Sequence, residues 1–364
     1  MNPIDERKTT VQRGIDRRGS DGRADVQTAA EWTEEERKKS ERRLLEGRVI
    51  FPEKLHLLDL PQFRPGFRQF IASWFFIDSL GRRMVVDPGP ASTIPLLLRK
   101  LSFLTNDVDY VLLTHIHLDH SGGIGQFCQQ YKNAKVLVHP KARRYLLDPG
   151  KLWKSSLEIL GDIAVMYGTP VPLAPDSLLD RDDLSGVTIL ETPGHAPHHL
   201  SFIVQLASEK SEENEKSEKS EKVVFVGEAA GLFLPLGSSS ALPYLRPTTP
   251  PKFDGVAARA SLRKISESLR GDELLCYAHW GAARHARNQM ALARGQFDDW
   301  TTLFSRMKDQ TERAITNSLF EQDSLLSGYF RLPEDLRTRE LFFIRNSVKG
   351  FLQYIRKTEK TSEE

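Results

Sequence analysis

From Arg48 onward the chain alternates short apolar runs with turn signals, the pattern of β-strands joined by tight connections. Residues 73–78 (SWFFID) and 84–89 (MVVDPG) flank Ser79-Leu80-Gly81 and predict a hairpin. The spacing predicts a helix over 94–104 and a buried strand over 108–114. Further strands are predicted at 135–139, 187–192, 200–206, 222–227 and 274–279. Residues 255–270 read as a helix with Asp254 placed to cap its start and Gly271 its end, and with Leu262, Ile265 and Leu269 on one face. After about Gly295 the pattern is helical through Lys357, where Trp300, Leu303, Phe304 and Met307, then Phe351, Leu352 and Ile355, recur at helical spacing. Strands alternate with helices but hairpins also occur, so the class is mixed, α+β.

Two stretches interrupt this pattern. Residues 1–46 are crowded with Arg, Lys, Glu and Asp and hold few large apolar side chains. Such a segment buries too little surface to offset its ordering entropy, and it is expected as a disordered tail. Within it, 33–45 reads as a solvated helix starting at TEEE, and a basic contact with a partner is the alternative role. Residues 208–222 (SEKSEENEKSEKSEK) form a charged low-complexity insert between two strands, expected as an exposed disordered loop.

Composition adds little that is decisive. The 364 residues are 39% hydrophobic and carry a formal charge of +2, with no global pull toward nucleic acid or membrane. Cys128 and Cys276 each sit in an apolar stretch and are expected as buried free thiols in a reducing compartment. No apolar run resembles a signal peptide or a membrane span, so a cytoplasmic location is expected.

The chemistry is concentrated at strand ends. THIHLDHSGG (114–123) follows the strand that ends at Leu113 and packs three histidines and an aspartate into six positions. Alternate residues point the same way after a strand, so His115 and His117 can meet one ion while Asp119 and His120 face a neighbouring one. Imidazole with carboxylate suits zinc, iron or manganese.

His115, His117, Asp119 and His120 form an HxHxDH pattern that resembles the signature of the metallo-β-lactamase superfamily, over about residues 48–290. VVDPGP, with Asp87, resembles the family's first motif, in which an aspartate supports the metal loop from behind the ligands. TPGHAPHH (192–199) resembles the third, which implies His195 as a ligand to the first metal. YAHWG (277–281) resembles the fifth, which implies His279 as a ligand to the second. Where the family usually carries a metal-bridging aspartate, this chain reads VFVGEAAG and places Glu228. Two roles stay open for Glu228: a bridging ligand, or a hydrogen-bonding group behind the ligands of a single metal. His199 matches a family histidine that does not bind metal, and a structural hydrogen bond is expected of it. His198 replaces the usual glycine and is expected to point toward the substrate pocket. Tyr244, Arg246 and Phe253, in the Pro-rich stretch 242–254, are further candidates for substrate contact.

The resemblance implies a four-layer αββα sandwich at 47–294 and a helical C-terminal extension at 295–364 that covers one side of the mouth or mediates a homodimer. It is similar above all to the glyoxalase-II-like and lactonase-like hydrolases. That implies a metal-activated hydroxide attacking a thioester, lactone or other ester carbonyl of a small molecule, with Asp119 orienting the nucleophile or taking its proton. Two zinc ions are expected, with iron or manganese as alternatives. A phosphodiesterase of the ribonuclease Z sort shares HxHxDH, but no basic patch interleaved with aromatics supports a nucleic-acid substrate. A flavodiiron reductase is disfavoured by His117 and by the lack of a flavodoxin domain. A non-catalytic metal-binding protein is the alternative of a different class.

Overall fold

The computed structural model of the chain describes residues 52–208, 221–236 and 243–363. The expectations for 1–46, including the 33–45 helix, and for most of the 208–222 insert lie outside the described residues. The strands are β1 (Leu55–Asp59), β2 (Ala72–Ile77), β3 (Arg83–Val86), β4 (Tyr110–Leu112), β5 (Lys135–Leu137), β6 (Val187–Glu191), β7 (Leu200–Gln205), β8 (Lys222–Gly227), β9 (Leu232–Leu234), β10 (Tyr244–Arg246), β11 (Leu274–Tyr277) and β12 (Ala282–Ala283). The helices are α1 (Ile94–Leu101), α2 (Leu118–Ser121), α3 (Ile124–Gln130), α4 (Arg143–Leu147), α5 (Gly150–Leu160), α6 (Asp162–Tyr167), α7 (Gly255–Ser268), α8 (Ala286–Met307), α9 (Glu312–Gln322) and α10 (Glu334–Glu363).

Two five-stranded sheets, in orders β1-β2-β3-β4-β5 and β12-β11-β8-β7-β6, stack face to face. Alternation along each strand explains why both faces are apolar. Trp74, Phe76, Met84 and Val86 of one sheet meet Phe202, Val204, Val223, Phe225 and Cys276 of the other in the inner layer. The opposite faces, with Phe75, Val85 and Val111 on one sheet and Val224, Val226 and Leu275 on the other, belong to a larger core shared with the helices. Strands covered on both sides read as continuous apolar runs, which is what the sequence shows. Cys128 and Cys276 are buried and unpaired, as expected.

The predicted hairpin is β2–β3, antiparallel from Trp74 opposite Val86 to Ile77 opposite Arg83. Asp254 caps α7, its side chain accepting from the Ala257 amide. That helix ends at Ser268 with Leu269 as its C-cap, so Gly271 lies beyond the cap. The strands flanking the charged insert pair antiparallel, and the Leu206 amide donates to the Glu221 carbonyl at its base. Within the Pro-rich stretch, β10 pairs antiparallel with β9, Tyr244 opposite Leu234. The expected boundary at 294/295 falls inside α8, which runs unbroken from Ala286 to Met307. Its Met290 and Ala293, before that boundary, and its Phe297 and Trp300, after it, are buried in the same core.

One part-buried acid predicts a pH-dependent stability. Burial pushes Asp59 up to about 6, against the attraction of Lys100 and Arg339, and its Oδ1 lacks a hydrogen-bond partner among the described residues. The folded state then holds a proton that the unfolded chain releases near pH 4, so stability falls as pH rises through this window. The difference between an ordinary aspartate and one that titrates near 6 is worth about 3 kcal/mol. Asp59→Asn is expected to stabilise the protein by about 1–3 kcal/mol at pH 7 and to make no difference near pH 3, as read from denaturant unfolding at both pH values.

Candidate metal centre

The chemistry-bearing residues follow the C-terminal ends of five strands: Asp87 after β3, His115 after β4, His195 after β6, Glu228 after β8 and His279 after β11. β3 and β4 are parallel, as are β8 and β11. The sandwich therefore delivers these side chains to one edge. Backbone bonds tie the sheets together there, from the Leu200 amide to the Thr114 carbonyl and from the Ala72 amide to the Ala278 carbonyl.

Asp87 braces the start of the histidine loop. Its Oδ1 accepts from the Thr114 amide at 2.8 Å and its Oδ2 from the Thr114 hydroxyl at 2.6 Å. Asp87 itself has φ +50, in the left-handed region that aspartate tolerates better than most residues. Trp280, directly after His279, has φ +58, a costlier conformation of the kind that accumulates at functional sites.

Hydrogen bonds on the far side of each ring set the tautomers. The Thr114 hydroxyl gives its proton to Asp87, so His115 Nδ1, 3.1 Å away, donates to Thr114 and leaves Nε2 with its lone pair. His195 Nδ1 donates to the Thr248 carbonyl at 2.9 Å and His279 Nδ1 to the Phe70 carbonyl at 3.2 Å. In its neutral form each of these histidines thus turns an unprotonated Nε2 toward the Glu228 carboxylate.

The donors form two groups: His115, His117, His195 and Glu228, then Asp119, His120 and His279. In the first, His117 Nδ1 lies 3.0 Å from both His115 Nε2 and His195 Nε2, and Glu228 Oε2 lies 3.2 and 2.9 Å from those two nitrogens. Corners of a tetrahedron about a zinc ion with bonds of 2.0–2.1 Å are about 3.3 Å apart, close to this spacing. In the second, Asp119 Oδ2 lies 3.5 Å from His120 Nε2 and from His279 Nε2. Glu228 reaches this group too, with Oε2 at 3.3 Å from His120 Nε2 and Oε1 at 3.3 Å from His279 Nε2.

These residues fit a metal on an observation independent of the motif. Both ring nitrogens of His120 are buried without a hydrogen-bond partner among the described residues, its Nδ1 stopping 3.5 Å from Asp87. An orphaned buried imidazole is costly, and a cation at Nε2 satisfies it. Burial, then the neighbouring imidazoles, hold His115 and His117 well below their usual range, so both are neutral donors. Burial would raise Glu228, but His195, His279, His115 and His120 outweigh it and keep the carboxylate ionised. Burial likewise lowers His120, yet Asp119, Asp87 and Glu228 prevail and favour a proton there. A proton on His120 and a cation beside it compete for the same negative field.

The neighbours divide. His199 lies beneath Glu228: its Nε2 accepts from the Glu228 amide at 3.1 Å and its Nδ1 donates to the Thr192 hydroxyl at 2.8 Å. A Cβ at Gly227, where φ is +57, would strike this ring, so only glycine admits it. His198 is half-buried, and burial, then His139, push it down to about 4. Phe253 is buried and walls a small cavity behind His195 and Glu228 with Leu262 and Phe297. Tyr244 and Arg246 are not at a pocket. They are 0% and 2% exposed and bind Glu340 of α10 at 3.0 and 2.6 Å, because β10 turns them into the core. Phe70 and Thr248 escape sequence reasoning because each acts through a backbone carbonyl, a group every residue carries.

A family model described as the metallo-beta-lactamase superfamily matches residues 68–210. A metallo-beta-lactamase fold-containing protein of Sulfurisphaera tokodaii is 30% identical over 209 residues, 54% of this chain and 68% of the relative. The chain belongs to the metallo-beta-lactamase superfamily. The four-layer expectation and the helical C-terminal region hold, as does the superfamily resemblance. A solved archaeal superfamily structure from Sulfolobus tokodaii, 23% identical, shares the fold with a TM-score of 0.53, covering 84% of this chain and 100% of that one. An N-acyl homoserine lactonase of Agrobacterium fabrum is 33% identical over 116 residues, 31% of this chain and 42% of the lactonase. The superfamily is hydrolytic, and no helix among the described residues is long and apolar enough to cross a membrane.

Proposed function

We propose that the protein is a metal-dependent hydrolase of small molecules that opens a lactone, thioester or other ester at its carbonyl. The observation that carries this reading is the Glu228 carboxylate, within 3.3 Å of His115, His195, His120 and His279 and so shared between two donor groups. The similarity to a homoserine lactonase, over less than half that enzyme's length, supports an ester-type carbonyl as the target.

His115, His117 and His195 with Glu228 would hold one cation, and Asp119, His120 and His279 with Glu228 a second. Two zinc ions suit the set, and iron or manganese suits the same donors. Divalent cations supply water acidified toward neutral pH and polarisation of the carbonyl oxygen. The chain supplies the rest. Asp119, with 14% of its side chain exposed where Glu228 has 5%, is the carboxylate best placed to orient the attacking water and take its proton. Asp87 and His199 hold the loop and the Glu228 backbone still beneath it.

The test is a panel of lactones, thioesters, simple esters and phosphodiesters, assayed before and after chelation and after zinc is restored. Hydrolysis of at least one carbonyl ester, lost with metal and regained with zinc, is expected. Turnover confined to phosphodiesters would replace this reading with a phosphodiesterase, and turnover unaffected by chelation would remove the metal from it.

A further inference from the structure

The two carbonyls that orient His195 and His279 lie on irregular backbone, Thr248 just after β10 and Phe70 just before β2. Irregular backbone needs an outside support, and for both carbonyls it comes from α10. We propose that α10 is a positioning element for the metal centre, with Glu340 as the point from which both histidine-orienting carbonyls are held. The inference rests on the metal reading above.

Glu340 is fully buried, and its two oxygens serve two branches. Oε2 accepts from Arg246 Nε at 2.6 Å and from the Tyr244 hydroxyl at 3.0 Å, which fixes β10 two residues before Thr248. The same helix grips the residues on either side of Thr248. The Ser347 hydroxyl donates to the Pro247 carbonyl at 3.2 Å, and the Thr249 hydroxyl donates to the Ser347 carbonyl at 3.1 Å. Gly350 completes the contact, since a Cβ there would collide with the Thr249 carbonyl.

The second branch starts at Oε1, which accepts from Arg339 Nε at 2.8 Å. Arg339 Nη1 donates to the carbonyls of Gly66 and Arg68 at 2.6 and 2.8 Å, and its guanidinium lies 4.6 Å from the centre of the Phe70 ring. That ring stacks on His279, centroids 4.3 Å apart and planes 17° apart. Arg339 therefore holds the loop that leads into Phe70, whose carbonyl orients His279, and its guanidinium also lies against the ring that packs on that histidine.

Packing alone does not call for such a cluster. Burying two guanidiniums and a carboxylate carries a desolvation cost that apolar side chains of similar volume avoid. What the charges add is direction: a planar fork spans several fixed carbonyls, which a hydrocarbon cannot do. Partners behind metal-ligating histidines set ring orientation, and their loss lowers metal affinity about 10–100-fold.

Arg339→Met and Arg246→Met separate the branches, and each leaves Glu340 paired with the remaining arginine. Arg339→Lys is the milder variant of the first branch. Zinc affinity is read by chelator competition, and the ring N–H signals of His195 and His279 by NMR of 15N-histidine-labelled, zinc-loaded protein. Arg339→Met is expected to weaken one zinc equivalent about 10–100-fold and to move the His279 signal while sparing that of His195. Arg246→Met is expected to do the reverse. Folded variants with unchanged affinities and signals overturn the proposal, as does equal disturbance of both histidines by either variant. Wild type that binds no metal overturns the metal reading and this inference with it, whereas wild type binding two equivalents beside unmoved variants overturns the inference alone.

Discussion

If the protein is the ester hydrolase proposed above, Asp119→Asn is expected to lower kcat/KM by about 10²–10⁴-fold on its substrate, with the melting temperature almost unchanged. The substitution keeps shape and removes both a negative charge and a proton acceptor. Asp119 sits on the short helix α2, and its Oδ2 lies 3.5 Å from His120 and His279 without a tighter bond to either. Little structure depends on that carboxylate, so the loss falls on chemistry and on the second donor group. Steady-state kinetics with metal content measured on the same samples separates the two. A kcat/KM within about threefold of wild type at full metal occupancy would show that the proton goes elsewhere.

Glu340→Ala is expected to destabilise the fold by about 3–5 kcal/mol, on the order of 10 °C in Tm. The carboxylate is 0% exposed, and Arg246 and Arg339 bring it down to about 2 against the effect of burial. Its removal strands two buried cations, Arg246 at 2% and Arg339 at 3% exposure. The sign with pH follows from the depressed value: the stabilisation is complete above the ordinary carboxylate range and fades as pH falls toward 2. Thermal unfolding of wild type and variant at pH 7 and pH 3 checks this, and the gap between them should narrow at the lower pH. Equal gaps at both would mean that packing, not charge, dominates at this position.

The candidate site was legible where side-chain type and spacing carry the information. His115, His117, Asp119 and His120 occupy one turn after a strand, and the structure gathers them with His195, Glu228 and His279. Asp254 was legible for the same reason, since a helix start exposes amides that a short carboxylate caps. Arg246 and Tyr244 misled because proximity in sequence to Glu228 says nothing about which face of β10 they occupy. The partner that buries them, Glu340, is 94 residues beyond Arg246. The 294/295 boundary was drawn on a shift in texture from strand to helix, which need not coincide with a helix end; α8 crosses it with buried residues on both sides. Thr248 and Phe70 left no trace at all, as nothing in a side chain announces that its backbone carbonyl is in use.

The central claim, one glutamate shared by two cations, is tested most directly by metal content in wild type and Glu228→Ala, measured side by side by elemental analysis. Glu228 faces both donor groups, with its oxygens 2.9 Å from His195 and 3.3 Å from His279. Two equivalents in wild type falling toward one in the variant is the predicted result. One equivalent in both proteins would contradict it.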